Sequence, residues 1–168
     1  MAYENITNIK VAGAKIKFKN FEGRVTEYNK NGIREFSLVL DEEDALNLQE
    51  IGWKVKPKEL RDGSIQYTLP VEVSFKRVPN IKPMKVMQVT RKNQLRLDEE
   101  NIGNLDYADI LNIDLTIRPY CWGPVQGKTG IKAFLQEMWV TIDEDDWAEK
   151  YSNVNDQYPP EDVTPFVD

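Results

Sequence analysis

The sequence predicts a mainly antiparallel β protein, and three observations support that fold class. In "AKIKFKNF", apolar Ala14, Ile16 and Phe18 alternate with lysines, with the period of two that is expected of a half-buried strand. The pair Asn31-Gly32 separates two alternating runs and favours a tight hairpin turn, because both residues tolerate positive φ. Three later runs also alternate, whereas helix signals are confined to one or two short segments.

The later runs are "VEVSFKRV", "ILNIDLTIRPY" and "AFLQEMWVTI", and each predicts a strand with one apolar face. The main helix is predicted over "DEEDALNLQEIG", where Asp41 can cap the first turn and Gly52 can end the last. A second helical turn is expected in "DEDDWAEKY". The residues expected to face the core are Val71, Val73, Phe75, Leu111, Ile113, Leu115, Ile117, Phe134, Met138, Val140 and Ile142.

Length and composition predict one domain, residues 1–150, followed by a flexible acidic tail, residues 151–168. With 168 residues, 40% of them hydrophobic, the chain can bury one core. The single Cys121 cannot form an internal disulfide, and the absence of histidine removes the commonest general base and zinc ligand. No apolar run approaches the roughly 20 residues of a membrane helix, so we expect a cytoplasmic protein without metal, cofactor or membrane contact.

The net charge of −6 hides an uneven distribution along the chain. Residues 143–168 carry nine acids against Lys150 alone, a charge of −8, so residues 1–142 carry +2. Within that body, residues 54–96 hold eleven bases and three acids, a local charge of +8. The pattern indicates a cationic binding surface and an anionic segment that can compete for it.

Interleaved basic and aromatic residues predict a surface for single-stranded nucleic acid. Cations follow the phosphates, and exposed rings stack on bases for about 1–3 kcal/mol each. In "DLTIRPYCWG", Arg118, Tyr120 and Trp122 have the parity opposite to the core residues and are expected to face outward. The full set of predicted DNA-binding residues is Lys17, Lys19, Arg24, Tyr28, Arg34, Trp53, Lys54, Lys56, Tyr67, Lys76, Arg77, Arg91, Lys92, Arg118, Tyr120 and Trp122.

Several motifs follow one another over about residues 8–150: "KFKNFEGRVTEYNKNGIREFSLVL", a short helix, "IGWKVKP", "LPVEVSFK", "DLTIRPYCWG" and "AFLQEMWVTI". In this order they resemble tailed-phage single-stranded DNA-binding proteins with an OB-fold core. The resemblance implies an antiparallel OB-fold-like barrel, expanded here because the sequence has more strand-like runs than the five strands of that fold. It also implies a non-enzymatic protein, monomeric or homodimeric, that coats and protects single-stranded DNA during replication, recombination or repair in the host cytoplasm.

The chain ends in "PPEDVTPFVD", which resembles the acidic, aromatic-tipped C-termini of bacterial and phage single-stranded DNA-binding proteins. The resemblance implies that Glu161, Asp162, Phe166 and Asp168 compete with DNA and, once displaced, recruit replication proteins such as a polymerase, helicase or primase. A tethered polyanion has a high effective concentration beside a cationic groove, and DNA displaces it by its denser charge. Phe166 departs from the pattern because it is not the terminal residue.

Two other classes of function stay open on the sequence alone. Asp114, Glu72 and Glu137 would hold magnesium in a nuclease if they converged, although their spacing matches no common nuclease motif. "GPVQGKTG" falls short of a phosphate-binding loop because its first glycine, Gly123, lies one residue too close to the lysine. A non-catalytic phage structural or host-interaction protein, with a tail that mimics DNA, is the second alternative.

Overall fold

A computed structural model describes residues 7–143, and these form one sheet of nine strands with an α-helix and a short 3₁₀ helix. The predicted mainly β fold is confirmed. In chain order the elements are β1 (Ile9–Val11), β2 (Ile16–Asn20), β3 (Glu35–Leu40), α1 (Glu42–Ile51), β4 (Lys56–Glu59), β5 (Ile65–Glu72), β6 (Lys85–Val89), β7 (Gln94–Leu97), the 3₁₀ helix (Ile102–Asp106), β8 (Ile110–Val125) and β9 (Lys128–Ile142).

The sheet curls into a half-barrel, which is the OB-like architecture expected. Its main path runs β1-β8-β9-β5-β3-β2, while β4 pairs with β5 and the β6–β7 hairpin adds to β9. One edge of β9 is occupied by β8 in antiparallel pairing, and the other edge is shared by β5 and then β6 in parallel pairing. β9 is therefore the central strand on which the long β8–β9 hairpin and the β6–β7 hairpin meet.

One face of the sheet carries a continuous apolar core, and the opposite face is called the outer face below. β3 and β5 contribute residues such as Phe36 and Leu69, while β8 and β9 contribute Ile117, Met138 and others. Burial of each such side chain is worth about 1.5–3 kcal/mol, so the curl of the sheet follows from covering this face. α1 packs on the sheet through Ala45, which is fully buried.

The main helix forms where the sequence predicts it. The side chain of Asp41 accepts a hydrogen bond from the backbone N–H of Asp44 at 2.8 Å, which satisfies one of the free donors of the first turn. At the other end Gly52 adopts φ 122°, a conformation that other residues rarely adopt. Within residues 7–143, neither helix has the length and apolar composition needed to cross a membrane.

β2 and β3 pair as a hairpin, but the prediction of a tight turn at Asn31-Gly32 is wrong. The tight turn lies between Thr26 and Asn29, inside a long loop spanning residues 21–34. The Asn29 side chain forms hydrogen bonds with both the N–H and the carbonyl of Ile33. These bonds, and not a two-residue turn, fix the end of the loop. A side chain that bonds the backbone locally therefore outweighs the Asn-Gly preference.

Irregularities in three strands move three residues away from the apolar face on which the alternation predicts them. Phe18 has φ 55° where the β2–β3 register shifts, and its ring is 67% exposed. Leu111 is exposed because the register of β8 shifts between Ile110 and Asn112. An extra residue in β9 lies between Phe134 and the buried Met138, so the two side chains point to opposite faces of the sheet. Phe134 therefore lies on the outer face. Strict alternation fails wherever a bulge interrupts it.

Candidate nucleic-acid interface

A concave surface lies between the outer face of the β8–β9 hairpin and residues 74–84, and we call it the β8–β9 groove. Its volume is about 400 Å³. The hairpin register explains its composition: Ile117 and Leu135 face the core, so their neighbours Arg118 and Phe134 face outward opposite each other. Its lining residues include Glu72, Ser74, Lys76, Val78, Lys82, Met84, Arg118, Tyr120, Phe134 and Gln136.

Phe134 is the centre of a cluster of rings and cations in this groove. The Arg118 guanidinium carbon lies 4.9 Å from the Phe134 ring centroid, and the Lys132 Nζ atom lies 5.1 Å from it. Tyr120 packs edge-to-face against the same ring, with centroids 6.0 Å apart, and remains 51% exposed. Burial lowers the pKa of Arg118 from its ordinary value, but a guanidinium keeps its charge in proteins. The ring thus holds two cations in fixed positions.

An acid also lies in this groove. Lys132 donates a hydrogen bond from Nζ to Glu72 Oε1 at 2.6 Å, and the Lys132 and Glu72 side chains are 45% and 21% exposed. Glu72 is half-buried on β5, next to the point where that strand pairs with β9. The carboxylate therefore neutralises one of the cations that would otherwise be available to a phosphate.

Trp122 lies further along the same hairpin, opposite Gly130 in the register. A methyl group added at Gly130 would come within 2.7 Å of the indole, so the ring lies directly over the glycine backbone. The ring is half-buried as a result. Among the predicted DNA-binding residues, the structure brings together Lys76, Arg118 and Tyr120 in the groove. Trp122 stands beside them on the hairpin, and Arg77 lines a neighbouring depression.

Other predicted residues lie in or beside the loop spanning 21–34. Lys19 donates to the Leu105 carbonyl at 3.1 Å, and Arg24 lies 4.0 Å from the Asp106 carboxylate. The Arg34 guanidinium donates to the Glu99 carbonyl at 3.3 Å and lies 5.5 Å from the ring centroid of Phe75. These three cations bind protein groups. Tyr28 is 94% exposed near the tip of this loop.

The remaining predicted residues are dispersed over other strands. Lys17 donates to the Gln66 side chain at 2.9 Å, and Lys54 and Lys56 are exposed before and on β4. Tyr67 is half-buried against the core. Arg91 and Lys92 are exposed in the turn of the β6–β7 hairpin, each with an interaction of its own.

Trp53 requires a correction. Its side chain is only 4% exposed and belongs to the core, because the backbone around it forms a parallel bridge with Ile131 on β9. The flanking lysine Lys54 made this ring look like a surface residue, but a ring enclosed by the core cannot stack on a base. The prediction that Trp53 contacts DNA is therefore wrong.

Sequence reasoning missed two residues that line the groove, Phe134 and Gln136, and Lys132 beside them. The alternation in "AFLQEMWVTI" predicts that Phe134 faces the core, because it gives no sign of the bulge. Gln136 bonds the carbonyls of Lys82 and Pro83, a contact with a residue distant in sequence. The sequence offers one indication that Phe134 faces outward: Lys132 is two residues away, and so lies on the same face of a regular strand.

The three acids considered for a magnesium site have separate partners. Glu72 pairs with Lys132, Asp114 accepts the Gly13 N–H at 2.9 Å, and Glu137 accepts the Trp139 indole N–H at 2.9 Å. Within the part of the chain that the structure describes, no group of three acids or cysteines is placed to hold a metal ion. The predicted tail residues Glu161, Asp162, Phe166 and Asp168, the boundary at residue 150 and, after its first residue, the helical turn predicted in "DEDDWAEKY" lie outside the described residues.

Comparisons with known proteins identify a family for the sequence and a similar fold for the structure. A family model described as "Putative phage ssDNA-binding domain" matches residues 1–162. The single-stranded DNA-binding protein from bacteriophage Enc34 has a similar structure, with 12% sequence identity, a TM-score of 0.50, and coverage of 83% of this chain and 83% of that chain. A structure of the Enc34 protein in complex with ssDNA matches with 12% identity and a TM-score of 0.51, over 83% of this chain and 88% of that chain.

Sequences of curated proteins gave no match. The structural likenesses show a shared fold at low identity, and the family model covers nearly the whole chain. The chain therefore belongs to the phage single-stranded DNA-binding domain family.

Proposed function

We propose that this protein coats single-stranded DNA without cleaving it, and that the β8–β9 groove is its main contact with the strand. One observation carries the proposal. Arg118, Lys132 and Tyr120 converge on the ring of Phe134, on the outer face of a chain that belongs to a DNA-binding family. The Enc34 protein, whose fold is similar, has been solved in complex with ssDNA, which supports the same ligand here.

The groove favours single strands for a physical reason. A base stacks on an aromatic face only when that face of the base is accessible, and a duplex hides it. Tyr120 is half-exposed beside two cations, so a base and its phosphates can contact the same small surface. Because every base has a π-face, the contact needs no particular sequence. Exposed Lys76 and Lys82, on the opposite wall, extend the cationic surface along the groove.

The biological role follows from this binding mode and from the family. We propose that the protein protects single strands during phage replication, recombination or repair in the host cytoplasm, as a monomer or homodimer. The body, residues 1–150, binds DNA, while residues 151–168 compete for the groove and recruit replication proteins such as a polymerase, helicase or primase. The sequence supports the competition, because residues 143–168 carry −8 and residues 54–96 carry +8.

A titration tests the proposal. A labelled thymine oligomer and the corresponding duplex are titrated with the full-length protein at two salt concentrations. We expect much tighter binding to the single strand, and an affinity that falls with salt by a logarithmic slope of about 0.7 per phosphate contact. Incubation with magnesium should leave the oligomer intact. Equal affinity for duplex, or affinity that does not change with salt, would contradict the proposal, and cleavage would contradict its non-enzymatic part.

Variants connect the binding to the groove. Lys132→Ala should weaken binding, because it leaves the Glu72 carboxylate unpaired in the groove, where it repels the phosphates. Lys58→Ala is the matched control, because this exposed lysine lies on β4, paired with the end of β5 remote from Glu72. If the two variants lose affinity equally, the strand does not follow the β8–β9 groove.

A further inference from the structure

A second ring lies on the outer face of β9, beyond the groove. Trp139 is half-buried, and the Nζ atom of Lys85 lies 5.0 Å from the centroid of its ring. The indole N–H donates to Glu137 Oε2 at 2.9 Å, which fixes the orientation of the ring. The arrangement repeats what surrounds Phe134: an aromatic side chain of β9 with a cation beside its ring.

A β-bulge puts the two rings on the same face. Trp139 follows Phe134 by five residues, an odd spacing that would place them on opposite faces of a regular strand. The register shows one extra residue in β9, because Thr116 pairs with Glu137 but the next residue, Ile117, pairs with Leu135. Gln136 has no partner in this register, and the insertion of this one residue puts the two rings on the same face of the sheet.

The same glutamine also positions the cation of the second ring. Gln136 Nε2 donates to the carbonyl of Lys82 at 3.1 Å and lies 3.5 Å from that of Pro83. Those residues lead directly into β6, whose first residue, Lys85, pairs with Glu137. One residue of the bulge therefore aligns Trp139 with Phe134 and anchors the segment that brings Lys85 over the indole.

We infer that Trp139 is a second base-stacking site, and that a single strand of DNA follows β9 from Phe134 to Trp139. This inference rests on the proposed function of the β8–β9 groove. Arg118 and Asp114, the partners of Phe134 and Trp139 on β8, are four residues apart, so at about 3.3 Å per residue the two positions are roughly 13 Å apart along the strand. Single strands extend over such distances, and proteins that bind them use successive rings for successive bases.

The electrostatics of the two sites differ. Arg118 and Lys132 flank Phe134, whereas Trp139 has Lys85 beside its ring. The carboxylates of Glu137, on the same strand, and Asp114, its partner on β8, are also neighbours of Trp139. The acids disfavour a phosphate near Trp139 but do not prevent a base from stacking on the ring. Trp139 therefore contributes to affinity through base contact and adds little to the salt dependence.

The test measures how the effect of Trp139 depends on the length of DNA. OB-fold sites span about 4–16 nucleotides, so thymine oligomers near these two lengths are titrated with wild-type protein, Trp139→Ala and Trp139→Phe. We expect Trp139→Ala to weaken binding of the long oligomer roughly 10-fold with an unchanged salt slope, while the short oligomer changes less than about twofold. Trp139→Phe keeps a ring and should retain most of the affinity.

A second measurement does not depend on the variants folding. Wild-type protein is photocross-linked to a long oligomer containing bromouracil, and the linked residues are mapped individually, because Phe134 and Trp139 lie between the same two lysines, Lys132 and Lys150. We expect links to Trp139 itself as well as to Tyr120. Links that omit Trp139, or a folded Trp139→Ala that binds the long oligomer like wild type, would overturn the inference. If wild-type protein binds no single strand of either length, the proposed function itself fails.

Discussion

The loop spanning 21–34 and the β8–β9 groove both combine cations with aromatic side chains, but their cations have different partners. In the loop region, Lys19 binds a backbone carbonyl and Arg24 lies beside the buried carboxylate of Asp106. In the groove, Arg118 contacts the face of a ring, and no carboxylate pairs with it among the described residues. A cation that already satisfies protein acceptors must lose those contacts to bind a phosphate, whereas a cation placed on a ring is both ordered and available.

The two regions show that counting basic and aromatic residues along a sequence overestimates how many of them bind DNA. The loop side holds Tyr28, Arg24 and Arg34, the groove holds Tyr120 and Arg118, and the two sets are alike in composition. Their contacts separate a structural role from a binding role. Variants in the loop region should therefore change stability, whereas variants in the groove should change DNA binding.

Asp106 should matter for stability and not for DNA. Its carboxylate accepts the backbone N–H groups of Phe21 and Glu22 at 2.8 and 3.0 Å, and its side chain is only 2% exposed. Asp106→Ala removes the acceptor of two backbone donors, and because a hydrogen bond to a charged group is worth about 1.5–3 kcal/mol, we expect the free energy of unfolding to fall by about 2–4 kcal/mol. Denaturant unfolding measures the loss, and Asp106→Asn, which keeps one acceptor oxygen, should lose less. If the folded variant binds DNA much more weakly than wild type, the loop is part of the binding surface.

Tyr120 and Tyr28 form a matched pair of exposed tyrosines, one in each region. Tyr120→Ala should weaken binding to a thymine oligomer by about 1–3 kcal/mol, because its ring is placed to stack on a base next to Arg118. Tyr28→Ala removes a ring that is 94% exposed and should change affinity less than twofold. Fluorescence titration of both folded variants gives the comparison, and a larger loss for Tyr28 would reverse the assignment of the two regions.

Glu72 should lower the affinity of the groove for DNA. Its removal frees Lys132, and since exposed ion pairs are worth about 0–1 kcal/mol, Glu72→Gln should tighten binding by up to roughly fivefold. The salt slope should also rise, because one more cation meets the strand. Glu59→Gln on β4 changes the net charge equally and serves as the control. Equal tightening in both variants would mean that net charge alone acts, and weaker binding by Glu72→Gln would mean that the carboxylate contacts the base.

Deletion of residues 152–168 tests the proposed competition by the tail. The deletion removes four acids and changes the net charge from −6 to −2. Binding to single strands should tighten by a few-fold at low salt and little at high salt, where a tethered polyanion is screened. The truncated protein should also lose any association with a replication partner, because Phe166 is removed. Unchanged affinity at low salt would leave the segment without a role in DNA binding.

Local patterns in the sequence were sufficient for the regular elements. The alternation in "ILNIDLTIRPY" identified most of the buried face of β8, and its parity placed Arg118 and Tyr120 on the outer face. The Asp41 cap was also readable, since capping depends on a residue and its neighbours. These features depend on short stretches of chain, and so a single sequence can predict them.

Irregular features depended on contacts between distant residues, and the sequence could not predict them. The bulge at Gln136 is held by a bond to the Lys82 carbonyl, and without it Phe134 would face the core. Trp53 is buried because its backbone meets Ile131 on β9. The centre of the candidate site, a ring of β9 between cations of β8 and β9, was therefore hidden from sequence reasoning.

The salt dependence of two arginine variants tests the central claim most directly. Arg118→Ala and Arg24→Ala remove the same charge, one from the groove and one from the loop region. Titrations with a thymine oligomer over a range of salt concentrations should show a slope reduced by about 0.7 and a weakened affinity for Arg118→Ala, and a slope close to wild type for Arg24→Ala. A reduced slope for Arg24→Ala together with an unchanged slope for Arg118→Ala would contradict the account.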